Sequence, residues 1–245
     1  MQITTKALVI KVMDIRDNDR LLTLLTADLG LIKAFVTGAK KSNNKNNAAT
    51  SLFCYSDLIL AKSGDTYKVK EATLITSFFK LSSDIVNLSL AQYFCDIAAA
   101  FSPEDSSAEE HLRLTLNSLN FLCKNSINVH LLKAIFELRL MATSGYMPDL
   151  VACSECGKFD DDFMCFYYEN GSILCHECKF EDKSAYLDKT LLSAMRHIVY
   201  SDFERLFSFS IPEKSAIRLS HITEEYLIFQ TGKRYHTLDF FKSLL

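Results

Sequence analysis

"TKALVIKVMDIRDNDRLLTLLTADLGLIKAFVTG", residues 5–38, carries three runs rich in β-branched and aliphatic residues interleaved with polar ones. Alternation with a period of two places successive side chains on opposite faces of a strand, one buried and one wet. TKALVIKVMDI therefore predicts a first strand, RLLTLLTA a second and LIKAFVTG a third, with a turn at Asp28-Leu29-Gly30 between the last two. Further on, DLILAK and TYKVKEATLITSF flank Ser63-Gly64-Asp65, the signal of a hairpin. Five short strands in the first 80 residues fit a small barrel of the oligonucleotide-binding (OB) kind. An SH3-like barrel would give much the same pattern, and the strand count alone does not separate the two.

Between the third strand and the hairpin lies AKKSNNKNNAAT, residues 39–50, which is polar or small throughout and reads as a loop. Beyond residue 80 the period changes. Helices are predicted over 83–101, over 107–124 with Leu112, Leu116, Leu119 and Cys123 on one face, and over 128–143. The last of these has two apolar faces, Leu131-Ile135-Leu138 and Leu132-Phe136-Leu140, the mark of an interior helix. It should stop near Ser144-Gly145, ahead of Pro148. DKTLLSAMRHIVY predicts another helix. A final one should start at Ser210 in a capping box with Glu213, bury Leu219, Ile222, Tyr226 and Phe229, and end at Gly232. The expected architecture is an α+β, two-domain chain: a five-stranded barrel over 1–80, then a helical domain over 81–245.

Inserted in that helical domain, at about 149–182, is "CSECGKFDDDFMCFYYENGSILCHEC", residues 153–178. Its two Cys-x-x-Cys pairs, Cys153 with Cys156 and Cys175 with Cys178, have the spacing of a zinc site. Two cysteines three apart bring both sulfurs to one ion from a tight turn, and two such turns supply a closed tetrahedron. The intervening FMCFYYENGSIL reads as a hairpin turning at Glu169-Asn170-Gly171, so the segment resembles a zinc ribbon holding one structural Zn2+. A tetrahedral set of four sulfurs would also suit iron. A redox dithiol needs one pair rather than two, and a catalytic zinc keeps one position open. His176 is read as a solvent-facing residue of the second turn, Asp160-Asp161-Asp162 as a solvated tip and Cys165 as hairpin packing. Cys54, Cys95 and Cys123 are read as buried thiols.

Neither a phosphate-binding glycine loop nor a nucleophile elbow occurs, so the chain is not expected to be an enzyme. The opening MQITTKALVIKVMD is interrupted by Lys6, Lys11 and Asp14, which argues against a leader or span and for a cytoplasmic protein. Residues 1–80 carry 12 Lys and Arg against 7 Asp and Glu, a net of +5, whereas 81–245 carry 15 against 23, a net of −8. Only the first part is suited to a polyanion. Candidate phosphate contacts are Lys40, Lys41 and Lys45 on the loop, beside Lys6, Lys11 and Lys33. Phe35, Phe53, Tyr55 and Tyr67 could stack on bases or fill the barrel core.

Taken together, TKALVIKVMDIRDNDRLLTLLTADLGLIKAFVTGAKK, SGYMPDLVACSECGK, GSILCHEC and LDKTLLSAMRHIVYSDFERLFSFS with EEYLIFQTGKRYHTLDFFKSLL resemble, in this order, the RecO family of bacterial DNA-repair proteins. The resemblance spans nearly the whole chain. It implies an OB-fold, a helical domain, and a zinc module that only some members keep. It further implies a recombination mediator that binds single- and double-stranded DNA, anneals complementary strands, and helps RecA load onto DNA coated by single-stranded-DNA-binding protein. Implied partners are RecR, the C-terminal tail of the coating protein and, in many bacteria, RecF, with association to the nucleoid during repair. By position, Lys40 and Lys41 match the family's basic loop and the four cysteines its zinc module. The asparagines at 43–47 dilute a loop that is often more basic. A zinc-ribbon adaptor that binds only protein is the competing expectation, and a zinc hydrolase or deaminase a more distant one.

Overall fold

The computed structural model describes residues 2–15, 18–41, 45–180 and 183–245. The chain divides into two compact units, residues 1–124 with 236–245, and residues 125–235.

In the first unit, β1 (Gln2–Ile15), β2 (Asp19–Thr26), β3 (Leu31–Val36), β4 (Cys54–Ser63) and β5 (Thr66–Ser77) form a closed barrel. The order is β1-β2-β3-β5-β4, closed by β4 on β1, with every pairing antiparallel except a short parallel contact of β3 with β5. This is the OB arrangement, and it decides between the two barrels that the strand count left open. Val9, Leu22, Leu24, Ala34, Val36 and Leu58 converge in the core. Each fully buried aliphatic side chain of this kind stabilises the fold by roughly 1.5–3 kcal/mol. The register of β1 on β2 shifts between Val9 and Lys11, so Val9 and Val12 both pack inward although they are three apart. That bulge turns Lys11 outward.

Gly30 ends the β2–β3 turn with a φ of 67°. Its carbonyl accepts from Thr26 Oγ1 at 2.9 Å, and a Cβ here would run into the carbonyl oxygens of Pro103 and Ser106. Only glycine fits both demands. Helices α1 (Ile85–Phe101), α2 (Glu109–Lys124) and α6 (His236–Lys242) complete this unit. Asp84 caps α1 by accepting from the N–H groups of Val86 and Asn87. On α2, Leu112 and Leu119 of the expected stripe are buried, but Leu116 and Cys123 are half-buried. The buried face instead includes His111, Thr115 and Ser118. Thr115 satisfies its hydroxyl on the His111 carbonyl at 2.7 Å, a local solution that a count of apolar residues does not score.

The second unit holds α3 (Val129–Thr143), β6 (Met164–Tyr167), β7 (Ser172–Cys175), β8 (Ser184–Leu187), α4 (Lys189–Tyr200) and α5 (Glu213–Thr231). As expected of an interior helix, α3 buries both apolar faces, and it also buries Lys133 and Glu137. The Lys133 ammonium lies 2.9 Å from Glu137 and 3.2 Å from Glu224, and donates to the Ser220 carbonyl at 3.0 Å. Two expectations for α5 need correction. No capping box forms, because Pro212 is the capping residue and the helix begins at Glu213. Phe229 is 45% exposed, while Leu227 takes the buried place beside Leu219, Ile222 and Tyr226. Gly232, with a φ of 66°, does end the helix. Among the described residues, no helix is long and apolar enough to cross a membrane.

Candidate nucleic-acid interface and metal centre

Barrel register determines which lysines stand together. Lys11 on β1 opposes Thr23 on β2, which opposes Lys33 on β3. Directly opposed residues share a face, so the two lysines flank Thr23 on the outer wall, both exposed. The next row of that face runs Met13, Leu21, Phe35 and Lys68 across four strands. Phe35 is 37% exposed and Met13 49%. Of the other three candidate aromatics, Phe53 and Tyr67 are buried and Tyr55 is half-buried, so core packing accounts for the first two and Phe35 is the most exposed of the four. An apolar strip beside ammonium groups is the composition of a surface that stacks bases and neutralises phosphates. Below this wall, Lys33, Lys62 and Tyr67 share a groove of about 430 Å³ with Glu104 and Asp105.

The remaining sequence candidates are distributed differently. Lys6 opposes Asp57 on β4, away from the Lys11 row. Lys41 and Lys45 are exposed on the loop. Lys40 reaches back to Asp14, with its Nζ 3.0 Å from Oδ2. The other oxygen of Asp14 accepts from Arg20 Nε at 3.1 Å, and Arg20 also donates to Asn47 Oδ1 at 3.2 Å. The loop asparagines that can be described are anchors. Asn46 accepts from the Ala72 N–H at 3.0 Å and donates to the Lys70 carbonyl at 3.3 Å, imitating a strand partner for β5. Asn43 and Asn44 lie outside the described residues. Sequence reading missed Arg20 and Lys68, because their roles depend on register and on the β3–β5 contact rather than on any local motif.

In the second unit, the hairpin of β6 and β7 turns at Gly171, as expected, and carries Cys175 back toward Cys153. A third strand that sequence did not anticipate, β8, pairs with the other edge of β6. The sulfurs of Cys153, Cys156, Cys175 and Cys178 lie within 4.8 Å of one another. A tetrahedron with metal–sulfur bonds of about 2.3 Å requires sulfurs about 3.8 Å apart, and Cys156 and Cys175 are at 3.7 Å. Four thiolate donors in this geometry fit a closed metal site with no place for substrate. Burial opposes ionisation of Cys153, but hydrogen bonds from the backbone at Cys156, Cys175 and Glu155 outweigh it and lower its pKa to about 6. Cys178 is pushed upward by the sulfurs of Cys175 and Cys156.

Of Asp160-Asp161-Asp162, read as a solvated tip, Asp160 and Asp162 are exposed while the Asp161 side chain is enclosed, and Asp160 and Asp161 also make structural contacts. Asp161 accepts from the backbone N–H and ring Nδ1 of His176, at 3.1 and 2.8 Å, which holds its carboxyl well below the ordinary range. His176 itself is half exposed and stands apart from the sulfur cluster. Asp160 pairs with Arg196 of α4 at 3.0 Å. Arg196 also donates to the carbonyls of Leu150, Val151 and Phe159 and lies 4.1 Å from the centre of the Phe159 ring. One guanidinium thus ties both sides of the first cysteine turn to a helix.

Comparison with known proteins covers both parts of the chain. The family model described as recombination protein O N terminal matches residues 1–78, and that described as recombination protein O C terminal matches residues 82–239. The DNA repair protein RecO of Acetivibrio thermocellus is 33% identical over 241 residues, covering 98% of this chain and 96% of that one. Its namesake in Clostridium kluyveri is 26% identical over 241 residues, covering 98% and 93%. That of Dehalococcoides mccartyi strain 195 is 31% identical over 208 residues, covering 84% and 82%. With the barrel and the helical part each matched in their proper order, and a relative this similar along nearly its full length, the chain belongs to the recombination protein O family.

Proposed function

We propose that this protein is a DNA-repair and recombination mediator rather than an enzyme, and that its barrel binds DNA through phosphates without strong sequence specificity. One observation carries the reading: Lys11 and Lys33 stand in one row, and the exposed Phe35 beside Lys68 in the next, on a single outer face of an OB barrel. Phosphate contacts position a strand without reading it, and stacking on an aromatic is tolerant of sequence. A strand held this way keeps its pairing edges available to a complementary strand, while the lysines reduce repulsion between the two. Annealing follows from that arrangement. Membership of the family supports RecA loading on DNA coated by single-stranded-DNA-binding protein, with RecR as partner. The cysteine cluster is read as one structural zinc site, since four sulfurs close the coordination.

The test is binding of a dT oligonucleotide by the full chain across a salt series, with Lys11, Lys33 and Lys68 replaced by Ala singly and together. Each lost contact should flatten the slope of log K against log salt by about 0.7 for single strands and weaken all sequences alike. An unchanged slope in the triple variant would remove this face from consideration. Strand annealing on coated DNA, with and without RecR, tests the mediator role itself. The adaptor reading draws support from the exposed Phe159, Phe180 and Tyr186 on the cysteine module. It requires that the full chain show no salt-sensitive retention of DNA.

A further inference from the structure

We infer that Arg20 and Lys40 form a two-cation site for a single phosphodiester, and that the carboxylate of Asp14 occupies this site in the free protein. The inference rests on the DNA-binding reading above and adds an acidic residue that competes with the ligand.

Asp14 and Arg20 are register partners at one end of the β1–β2 pair. Each oxygen of Asp14 takes a different cation: Oδ1 accepts from Arg20 Nε at 3.1 Å and Oδ2 faces Lys40 Nζ at 3.0 Å. Two cations converging on the two oxygens of one anion form a receptor for any small forked oxyanion. A phosphodiester presents such a pair of oxygens, and guanidinium recognises both groups for the same geometric reason.

Arg20 and the backbone that carries Lys40 are held in place by groups other than Asp14. Arg20 pairs across β2–β3 with Val36, whose side chain lies in the barrel core, and its guanidinium donates to Asn47. Lys40 follows Ala39, which is fully buried in that same core, and its backbone N–H donates to the Asn18 carbonyl. The turn before it is fixed by Asp19, which accepts from the Gly38 N–H at 2.8 Å. Removing the Asp14 carboxylate would therefore leave the Arg20 guanidinium held by Asn47 and Lys40 anchored beside it at its backbone, rather than a collapsed loop.

Stability alone gives little reason for the carboxylate. The Asp14 side chain is 54% exposed and that of Lys40 34%, and ion pairs at such positions contribute little to folding. Its electrostatic effect on a polyanion is larger, because it cancels charge where the basic loop leaves the barrel. Lys40 and Arg20 in turn hold the Asp14 carboxyl below its ordinary pKa, opposed only by partial desolvation, so it stays charged at neutral pH. DNA must displace an ionised competitor. Weak or nonproductive anions are thereby disfavoured relative to a strand that also engages the Lys11–Lys33 face.

Asp14→Asn in the full chain provides the test, with binding of a dT oligonucleotide followed by fluorescence anisotropy over a salt series. The expected result is roughly 3–10-fold tighter binding at low salt, with a slope steeper by about 0.7, one further phosphate contact. Adding Lys40→Ala or Arg20→Ala to Asp14→Asn should abolish the gain. If the parent chain binds DNA in a salt-sensitive way and Asp14→Asn binds equally or more weakly, the competing carboxylate is excluded, and weaker binding would make Asp14 a positioning residue. A parent chain with no salt-sensitive binding would overturn the DNA-binding reading and this site with it. Thermal unfolding of each variant guards against reading a folding defect as a binding effect.

Discussion

Lys133 brings one positive charge into a core that also holds Glu137 and Glu224, and it pairs with both carboxylates. Thr223 adds a hydroxyl donor to Glu137 at 2.6 Å. Removing the cation takes the shared counter-ion from two buried carboxylates, which is more damaging than replacing a whole ion pair with apolar groups. Lys133→Met should lower the unfolding free energy by about 3–5 kcal/mol in urea titration, and Glu137→Leu added to it should recover part of the loss. His111 poses a different problem at the same scale. Burial depresses its pKa, against a smaller opposing pull from Glu110, and its Nδ1 lies 3.1 Å from Ser102 Oγ. A histidine with a depressed folded-state pKa contributes stability that is present above the unfolded value, about 6.5, and is lost as pH falls toward the folded one. Stability measured from pH 7 down to 5 should therefore decline, and His111→Gln should flatten that decline.

At the level of elements, the cysteine module is built from very short pieces, although β6 and β7 are buried along their whole length. Strands β6, β7 and β8 are four residues each, so a metal held by the four cysteines would add to the order that the Arg196 clamp provides. Arg196→Ala should raise hydrogen-exchange rates across residues 150–160 without reducing helical circular dichroism. Cys175→Ser should do so across the whole module. The convergence of the four sulfurs was legible in the sequence, since each Cys-x-x-Cys is a local geometry set by its spacing. Strand β8 was not, because SAYL acquires its role only from a distant partner, β6. The same distinction separates Lys11, whose outward direction follows from alternation once the bulge is placed, from Arg20, whose partners come from the sheet register and a loop 27 residues away. Ser210 misled for a related reason: a capping box is a sequence pattern that Pro212 pre-empts by fixing the backbone one residue before the helix.

For the molecule as a whole, charge and compactness separate two tasks. The barrel with its lysine face belongs to one compact unit and the cysteine cluster to the other. Stripping the metal with a chelator is thus expected to change DNA affinity by less than about 2-fold while it disorders the module, as read by anisotropy and proteolysis on one sample. A large loss of affinity on chelation would mean that the two units are energetically linked.

The first unit is also discontinuous, since α6 belongs to it although residues 125–235 intervene. Helix α6 is seven residues long and buries Leu238 and Phe241, and Thr237 bonds Asp96 of α1 at 2.8 Å. A helix so short does not persist alone. During synthesis, then, the face of α1 that receives α6 stays uncovered until the ribosome has made the entire second unit. A nascent chain stalled before residue 236 would present that apolar face to chaperones and proteases, so a premature stop codon there should lead to clearance rather than to a shortened, working protein.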